Sequence, residues 1–426
     1  MKSLNIKSKT IIALCLFAVL FVSLVLVATY CDFQVSKILT KNALKPGEYL
    51  ANDLFGVVGE AVGTSPIYIL LSLCTAILCW YFAKCFDKKK WAIALAVIFA
   101  FVGTVAWWFY IKDIMKYILE HALNAANEIG AAGAAVYEYR HNGAVVASQV
   151  LVALTIQALT VLALRPLKAE TLKRLVWWVV AALAACVLAN IIIILVKDPI
   201  GRMRFRAINS NVGQHLINAG LVQGYTPWYV RNGQPDEAII NSFIDVYPGA
   251  SDAFKSFPSG HTCAAGMSYA LIMLPDVVDF KHKKAGKIAC WGTPIVITML
   301  VAISRIVVGA HYMSDVTFGG TFAFVSFIIM REIFICKGSH FFALFPRLAP
   351  KKAVTLPADI EVENAVETVE DDALETLTEE SVDETEIVNS VDPSDDKNEE
   401  IALCSEQANK IGKEIADNLK DGVVIE

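Results

Sequence analysis

Three short polar clusters hold most of the residues able to do chemistry in this chain. They are Lys197 to Arg204 with Arg202 between, the string Pro258-Ser259-Gly260-His261, and Ser304-Arg305 followed by His311 and Asp315. Lysine and arginine donors suit phosphate oxygens, arginine as a fixed fork. Ser259 can cap a helix that starts beside it, and Gly260 lets backbone N–H groups come close to an anion. A histidine with a carboxylate four residues on is the arrangement of a nucleophile or base with a partner that orients its ring. Each cluster also has a plainer reading. Cations at a helix end anchor it at the membrane surface, a lone histidine is a satisfied polar residue, and a His–Asp pair is a buried structural hydrogen bond. Taken together, several cations, two histidines, one carboxylate and anion-binding backbone suit the stabilisation of a phosphoryl group in transfer.

The elements that must position these residues are apolar. The chain of 426 residues is 56% hydrophobic and 19% charged, with mean hydropathy +0.51. That composition marks an integral membrane protein. Spans of about 20 mostly apolar residues cross a bilayer as helices, and eight windows qualify: 11–30, 66–82, 91–111, 145–164, 175–196, 261–278, 288–308 and 312–330. The second and sixth are the shortest. The fold class expected is therefore all-α, a polytopic transmembrane helix bundle of about eight helices. The first window follows Lys2, Lys7 and Lys9 and is not followed by a small-x-small cleavage site, so it reads as an uncleaved anchor. The ten cysteines are scattered without a CxxC spacing and read as small core residues, not as a disulfide or metal framework.

Basic residues fall in every second loop: Lys84 with Lys88, Lys89 and Lys90; Arg165, Lys168, Lys173 and Arg174; Lys281, Lys283, Lys284 and Lys287. By the positive-inside rule these loops, and both termini, are expected in the cytoplasm, which puts all three polar clusters on the outer face. Residues 351–426 carry 23 acidic groups against 6 lysines and no aromatic residue, whereas the preceding 350 carry 31 basic against 19 acidic groups. The tail reads as a disordered cytoplasmic segment with a weak helix near 401–419, either a solvated spacer or a site for a protein partner. Segments 31–65 and 113–140 read as interfacial helices acting as lid or filler.

At its polar clusters the chain resembles the type 2 phosphatidic acid phosphatase superfamily, in its membrane lipid phosphatase branch. That family's pattern is K-x6-R-P, then P-S-G-H, then S-R-x5-H-x3-D. The chain meets it with Lys197 and Arg204, with Pro258-Ser259-Gly260-His261, and with Ser304, Arg305, His311 and Asp315, departing at Phe205 where the family has proline. The resemblance implies a six-helix core within 91–332, an N-terminal extension of two helices (1–90), a membrane-proximal segment (333–350) and the acidic tail. It implies that His311 attacks phosphorus, that Asp315 hydrogen-bonds its other ring nitrogen, and that His261 is acid and then base. Lys197, Arg204, Ser259, Gly260 and Arg305 would hold the phosphoryl oxygens, with no metal or other cofactor.

The expected function is hydrolysis of a lipid phosphate or diphosphate monoester, such as a polyprenyl diphosphate, phosphatidate, phosphatidylglycerophosphate or lipid A, at the outer leaflet of the plasma or inner membrane. Two alternatives stay open: transfer of the phosphoryl group to another lipid, and a non-catalytic protein that binds or transports an anionic lipid. Partners expected are the lipid phosphate and membrane lipids, not nucleic acid. Within 205–257, Tyr225, Trp228, Tyr229 and Arg231 are expected to form a lid or read the headgroup, and Phe205→Pro is expected to be mild.

Overall fold

Apolar residues on all sides of a helix mark it for lipid, and such helices dominate the computed structural model. It describes residues 5–51, 53–125, 138–139, 141–244 and 250–348, so the tail, Asn52 and the alanine-rich stretch near 125–135 fall wholly or largely outside it. The long helices are α1 (Ile6–Thr40), α3 (Ser65–Cys85), α4 (Lys89–Ala125), α5 (Gly143–Ala163), α6 (Ala169–Ile200), α12 (Lys283–Val307) and α13 (Met313–Phe334). Shorter ones are α2 (Leu54–Gly63), α7 (Phe205–Asn209), α8 (Asn211–Asn218), α9 (Glu237–Ile244), α10 (Gly260–Ala265), α11 (Leu274–Val277) and α14 (Ser339–Leu344). Seven stretches among the described residues are long and apolar enough to cross a membrane. The chain is a polytopic helical membrane protein.

The eighth expected span is present but broken. Residues 260–277 run as α10, a 3₁₀ stretch from Gly266 to Met273, and α11. Two features account for the break. Pro275 falls in the first turn of α11, where its missing N–H costs nothing. Gly266 lies so close to α13 that a Cβ there would be 2.5 Å from Ala323 Cβ.

The main core lies where α3, α6, the broken segment and α13 meet, with Leu172, Trp178, Met267, Met273 and Phe327 buried in it. Small residues on α6 (Ala181, Ala182, Ala185, Ala189) let its neighbours approach. Trp178 is further tied to the broken segment by its Nε1, which donates to the Ala270 carbonyl at 2.9 Å. Leu16, Leu195 and Phe101 stand on exposed outer faces, as lipid contact requires.

All three basic loops gather at one end. Lys84 Nζ donates to the carbonyls of Arg165 and Leu167, and Arg174 pairs with Asp279. The polar clusters gather where α6 and α12 end and α10 and α13 begin.

Two expectations for the N-terminal part change. The segment 31–65 is not a free interfacial helix: α1 continues to Thr40, and α2 packs against α12. Its glycines make that possible, since a Cβ on Gly56 or Gly59 would come within 2.0 Å of Val308 Cγ1 or 2.2 Å of Ser304 Oγ. Phe205 is a buried packing residue. Its ring sits 5.5 Å from Phe33 of α1 and 6.3 Å from Tyr312. It occupies the first position of α7, after Arg204 as cap, where proline would satisfy the backbone but lose both ring contacts. Phe205→Pro is therefore no mild change.

Candidate active site

α6 stops at Gly201, whose φ of +56° is left-handed and whose Cβ, if it had one, would lie 1.7 Å from the Gly233 carbonyl oxygen. This turn sends the cations of the first cluster in different directions. Lys197, one turn back, brings Nζ to 3.4 Å from where a Gly260 Cβ would be. Arg204 is buried and donates through Nε to the Asp252 carbonyl at 3.0 Å, while its Nη2 pairs with the Asp252 carboxylate. Burial raises the Asp252 pKa, but Arg204 and then Arg206 more than offset it, so this carboxyl sits below its usual range.

Arg202 is not part of the anion-binding cluster. Fully buried, it bonds Asp32 of α1 at 2.8 Å, Asp315 at 2.7 Å, Ser314 Oγ at 2.8 Å and the Thr226 carbonyl at 2.8 Å. The face of Tyr312 covers it, 4.0 Å from ring centre to guanidinium carbon.

The third cluster departs from the helical reading of its spacing. α13 starts at Met313, so His311 lies in the preceding turn and not on one helix face with Asp315. The Asp315 carboxylate closes a capping box by accepting from Tyr312 N at 2.8 Å, and it also accepts from Ser256 Oγ. Its Oδ2 stands 3.7 Å from His311 Nδ1, too far for a hydrogen bond. The partner of that nitrogen is the Ser256 carbonyl, at 2.6 Å. Asp315 thus reaches His311 indirectly, by holding Ser256.

A carbonyl can only accept, so His311 Nδ1 carries the proton and Nε2 keeps its lone pair. Burial, then Arg204, Lys197 and His261, hold the His311 pKa well below the ordinary imidazole value. That direction favours the neutral imidazole over the imidazolium.

Ser259 caps α10, accepting from Thr262 N at 3.3 Å, and its own N–H donates to the Asp315 carbonyl at 2.9 Å. The second and third clusters are therefore joined through backbone. His261 follows, its ring edge-on to Tyr117. Its Nε2 is buried without a hydrogen-bond partner. Such an atom in a charged pocket is suited to an oxygen of a ligand. Arg305, Glu60, Arg204 and Lys197 all act electrostatically on this ring, so both histidines share one field.

Arg305 is completely buried, with Nη2 donating to the Gly56 carbonyl and Nε to Ser304 Oγ at 3.3 Å. Nη1 makes an ion pair with Glu60 at 3.0 Å, not aligned as a hydrogen bond. Beside it, a cavity of about 420 Å³ opens between α2, α3, α6, the broken segment and α12, lined by Phe55, Val62, Leu73, Met267 and Leu300. Gly59, which also lines it, touches Ser304 and lies 3.9 Å from Arg305 Nη2 by its would-be Cβ.

Sequence reasoning missed Asp32, Glu60, Asp252 and Ser256. No spacing in the chain links them to the clusters, although an Asp at position 32 near the end of an apolar run is itself unusual enough to have been a signal. Of the residues expected to read the headgroup, Trp228 instead donates to Thr29 of α1 at 3.0 Å and packs on Phe318, and Tyr225 packs on Arg202 and Tyr312. Tyr229 remains exposed.

Comparison with known proteins shows what this part of the chain is similar to. Residues 210–335 match the PAP2 superfamily. This part of the chain is similar to PAP2 proteins. The PAP2 match contains the second and third clusters but starts after Lys197, Arg204 and the divergent Phe205. Two curated relatives are each called lipid A 1-phosphatase. That of Rhizobium etli is 36% identical over 119 residues, 27% of this chain and 47% of the relative. That of Rhizobium johnstonii is 27% identical over 122 residues, 28% of this chain and 46% of the relative. The chain thus spans about half the length of these relatives. No solved structure matches it.

Proposed function

We propose that the protein is an integral-membrane phosphatase that hydrolyses lipid phosphate or diphosphate monoesters through a phosphohistidine. The observation that carries this is the 2.6 Å contact of His311 Nδ1 with the Ser256 carbonyl, which fixes the ring so that Nε2 can attack phosphorus. Nε2 attacks and the P–O bond to the lipid breaks. His261 gives its proton to the departing oxygen. Water then attacks the phosphohistidine, His261 takes a proton from it, the P–N bond breaks, and inorganic phosphate leaves.

Lys197, Arg204 and Arg305, with Ser259 and the Gly260 backbone, stabilise the phosphoryl oxygens, and Glu60 positions Arg305 from behind. The apolar cavity beside Arg305 takes a hydrocarbon chain of the substrate. The names of the relatives put the 1-phosphate of lipid A first among substrates to try. The basic loops lie together at the end away from the polar clusters, which supports a site on the outer face with both termini inside.

The test is phosphate release by purified protein over lipid A, phosphatidate, phosphatidylglycerophosphate and polyprenyl diphosphate, with acid quench to trap an acid-labile phosphoprotein. His311→Ala should lose release and adduct while still binding lipid. Neither phosphate nor adduct from the wild type on any of these lipids would rule the phosphatase out.

A further inference from the structure

We propose that Glu332, Cys336 and His340 form a binding site for a divalent, thiol-seeking metal ion, zinc being the best match, at the far end of α13 from Asp315. One carboxylate oxygen, the thiol sulfur and one imidazole nitrogen lie within 4.8 Å of one another. The three are spaced E-x3-C-x3-H, yet no continuous helix carries them.

The chain builds the cluster by reversing. α13 ends at Phe334, and the N–H groups of Ile335 and Cys336 both donate to the Arg331 carbonyl at 3.0 Å. Two successive left-handed residues follow, Lys337 at φ +50° and Gly338 at φ +75°, and Lys337 is the sole non-glycine with positive φ among the described residues. Gly338 N then bonds the Glu332 carbonyl at 2.9 Å, and α14 starts back across the end of α13. This return lays His340 on Glu332, Nδ1 to Oε2 at 2.9 Å.

The electrostatics and coordination chemistry agree. Glu332 Oε1 is held by the backbone N–H groups of His340 at 2.7 Å and Phe341 at 3.1 Å, so the carboxylate is aimed and Oε2 is the oxygen left for a ligand. The nearest cation in sequence, Arg331, is hydrogen-bonded to Asp276 at 2.6 Å and acts on Glu332 and Cys336 through space only. All three side chains are partly exposed, which gives an ion access.

On binding, Cys336 loses its thiol proton to solvent. His340 moves its remaining N–H proton to Nε2 and lends the Nδ1 lone pair. Glu332 Oε2 exchanges a hydrogen bond for the ion, so one proton is released in all. Thiolate and carboxylate balance the dication, and water takes the fourth tetrahedral position. A tetrahedral zinc site sets O, N and S ligands about 3.3–3.8 Å apart, a small inward rotation of partly exposed side chains. Such an ion locks the chain reversal where α13 ends. It takes no part in the phosphoryl chemistry at the opposite end.

Full-length protein in detergent, stripped with chelator, is titrated with cobalt(II) and then zinc(II). One equivalent of cobalt should bind with a thiolate-to-metal charge-transfer band, which zinc abolishes. Cys336→Ser should remove the band and weaken zinc binding at least tenfold, and His340→Ala should weaken it similarly. Glu332→Gln keeps an acceptor for the two backbone N–H groups, so it should retain the wild-type melting temperature without metal but lose the rise that zinc gives. The absence of saturable cobalt binding, a band that survives in Cys336→Ser, or equal zinc affinity in all variants would overturn the site.

Discussion

A histidine that attacks phosphorus needs one ring nitrogen pinned and the other unprotonated. His311 meets both needs through the Ser256 carbonyl at 2.6 Å and through burial among Lys197, Arg204 and His261. Because its pKa is well below the ordinary 6.5, the folded chain binds fewer protons at this site than the unfolded chain does in mild acid. The stability tied to this site is complete above about pH 6.5 and drains away as pH falls toward the depressed folded value. The melting temperature in detergent should drop from pH 7 to 5, and His311→Asn should make that drop shallower. Identical slopes would show that the loss arises elsewhere. Ser256→Gly, which keeps the carbonyl but removes the hydroxyl that Asp315 accepts from, should lower turnover while substrate affinity holds. A change confined to KM would mean that Ser256 does not fix the nucleophile.

At the scale of elements, the helices outside the matched PAP2 region turn out to be its scaffold. Glu60 of α2 faces the buried guanidinium of Arg305, and Asp32 of α1 faces that of Arg202. Removing one partner of a buried ion pair strands the other, at a cost of about 3–5 kcal/mol. Glu60→Ala should therefore lower both melting temperature and turnover, whereas Glu60→Gln, which still offers an acceptor, should cost less on both counts. Equal effects of the two would argue that α2 matters by packing alone. Phe205→Pro removes a buried ring from the junction of α1, α7 and Tyr312, and about 2–3 kcal/mol of destabilisation follows from the scale of large-to-small core changes. A melting temperature at or above wild type would return Phe205 to the status of a neutral departure.

For the whole molecule, residues 1–350 form one unit, in which α1 packs on α13 and α3 packs on α4 and α6. Deleting residues 1–90 takes away Asp32, Glu60 and a wall of the apolar cavity together, so neither a monodisperse protein nor phosphate release should survive. Ending the chain at residue 350 leaves every described side chain of the site in place, and phosphate release should be unchanged. A truncation at 350 that abolished phosphate release would assign the tail a direct role.

What the sequence by itself determined was local. Apolar runs of span length and the fixed spacings of the second and third clusters gave the helices and the residues that gather at one end. The broken segment at 260–277 blurred one helix, since hydropathy records burial and not the pitch of the turn. Only the tertiary structure decided which partner each cation takes. Arg202 and Arg204 are two residues apart, yet one is consumed by Asp32 and Asp315 while the other faces Asp252. The structure likewise replaced the expected Asp315–His311 hydrogen bond with the Ser256 carbonyl. Such pairings join positions 32 with 202 and 60 with 305, and no periodicity in a chain encodes contacts across that separation. They are set by how helices pack, through glycines that let α2 settle on α12 and a left-handed turn that divides the cations after α6.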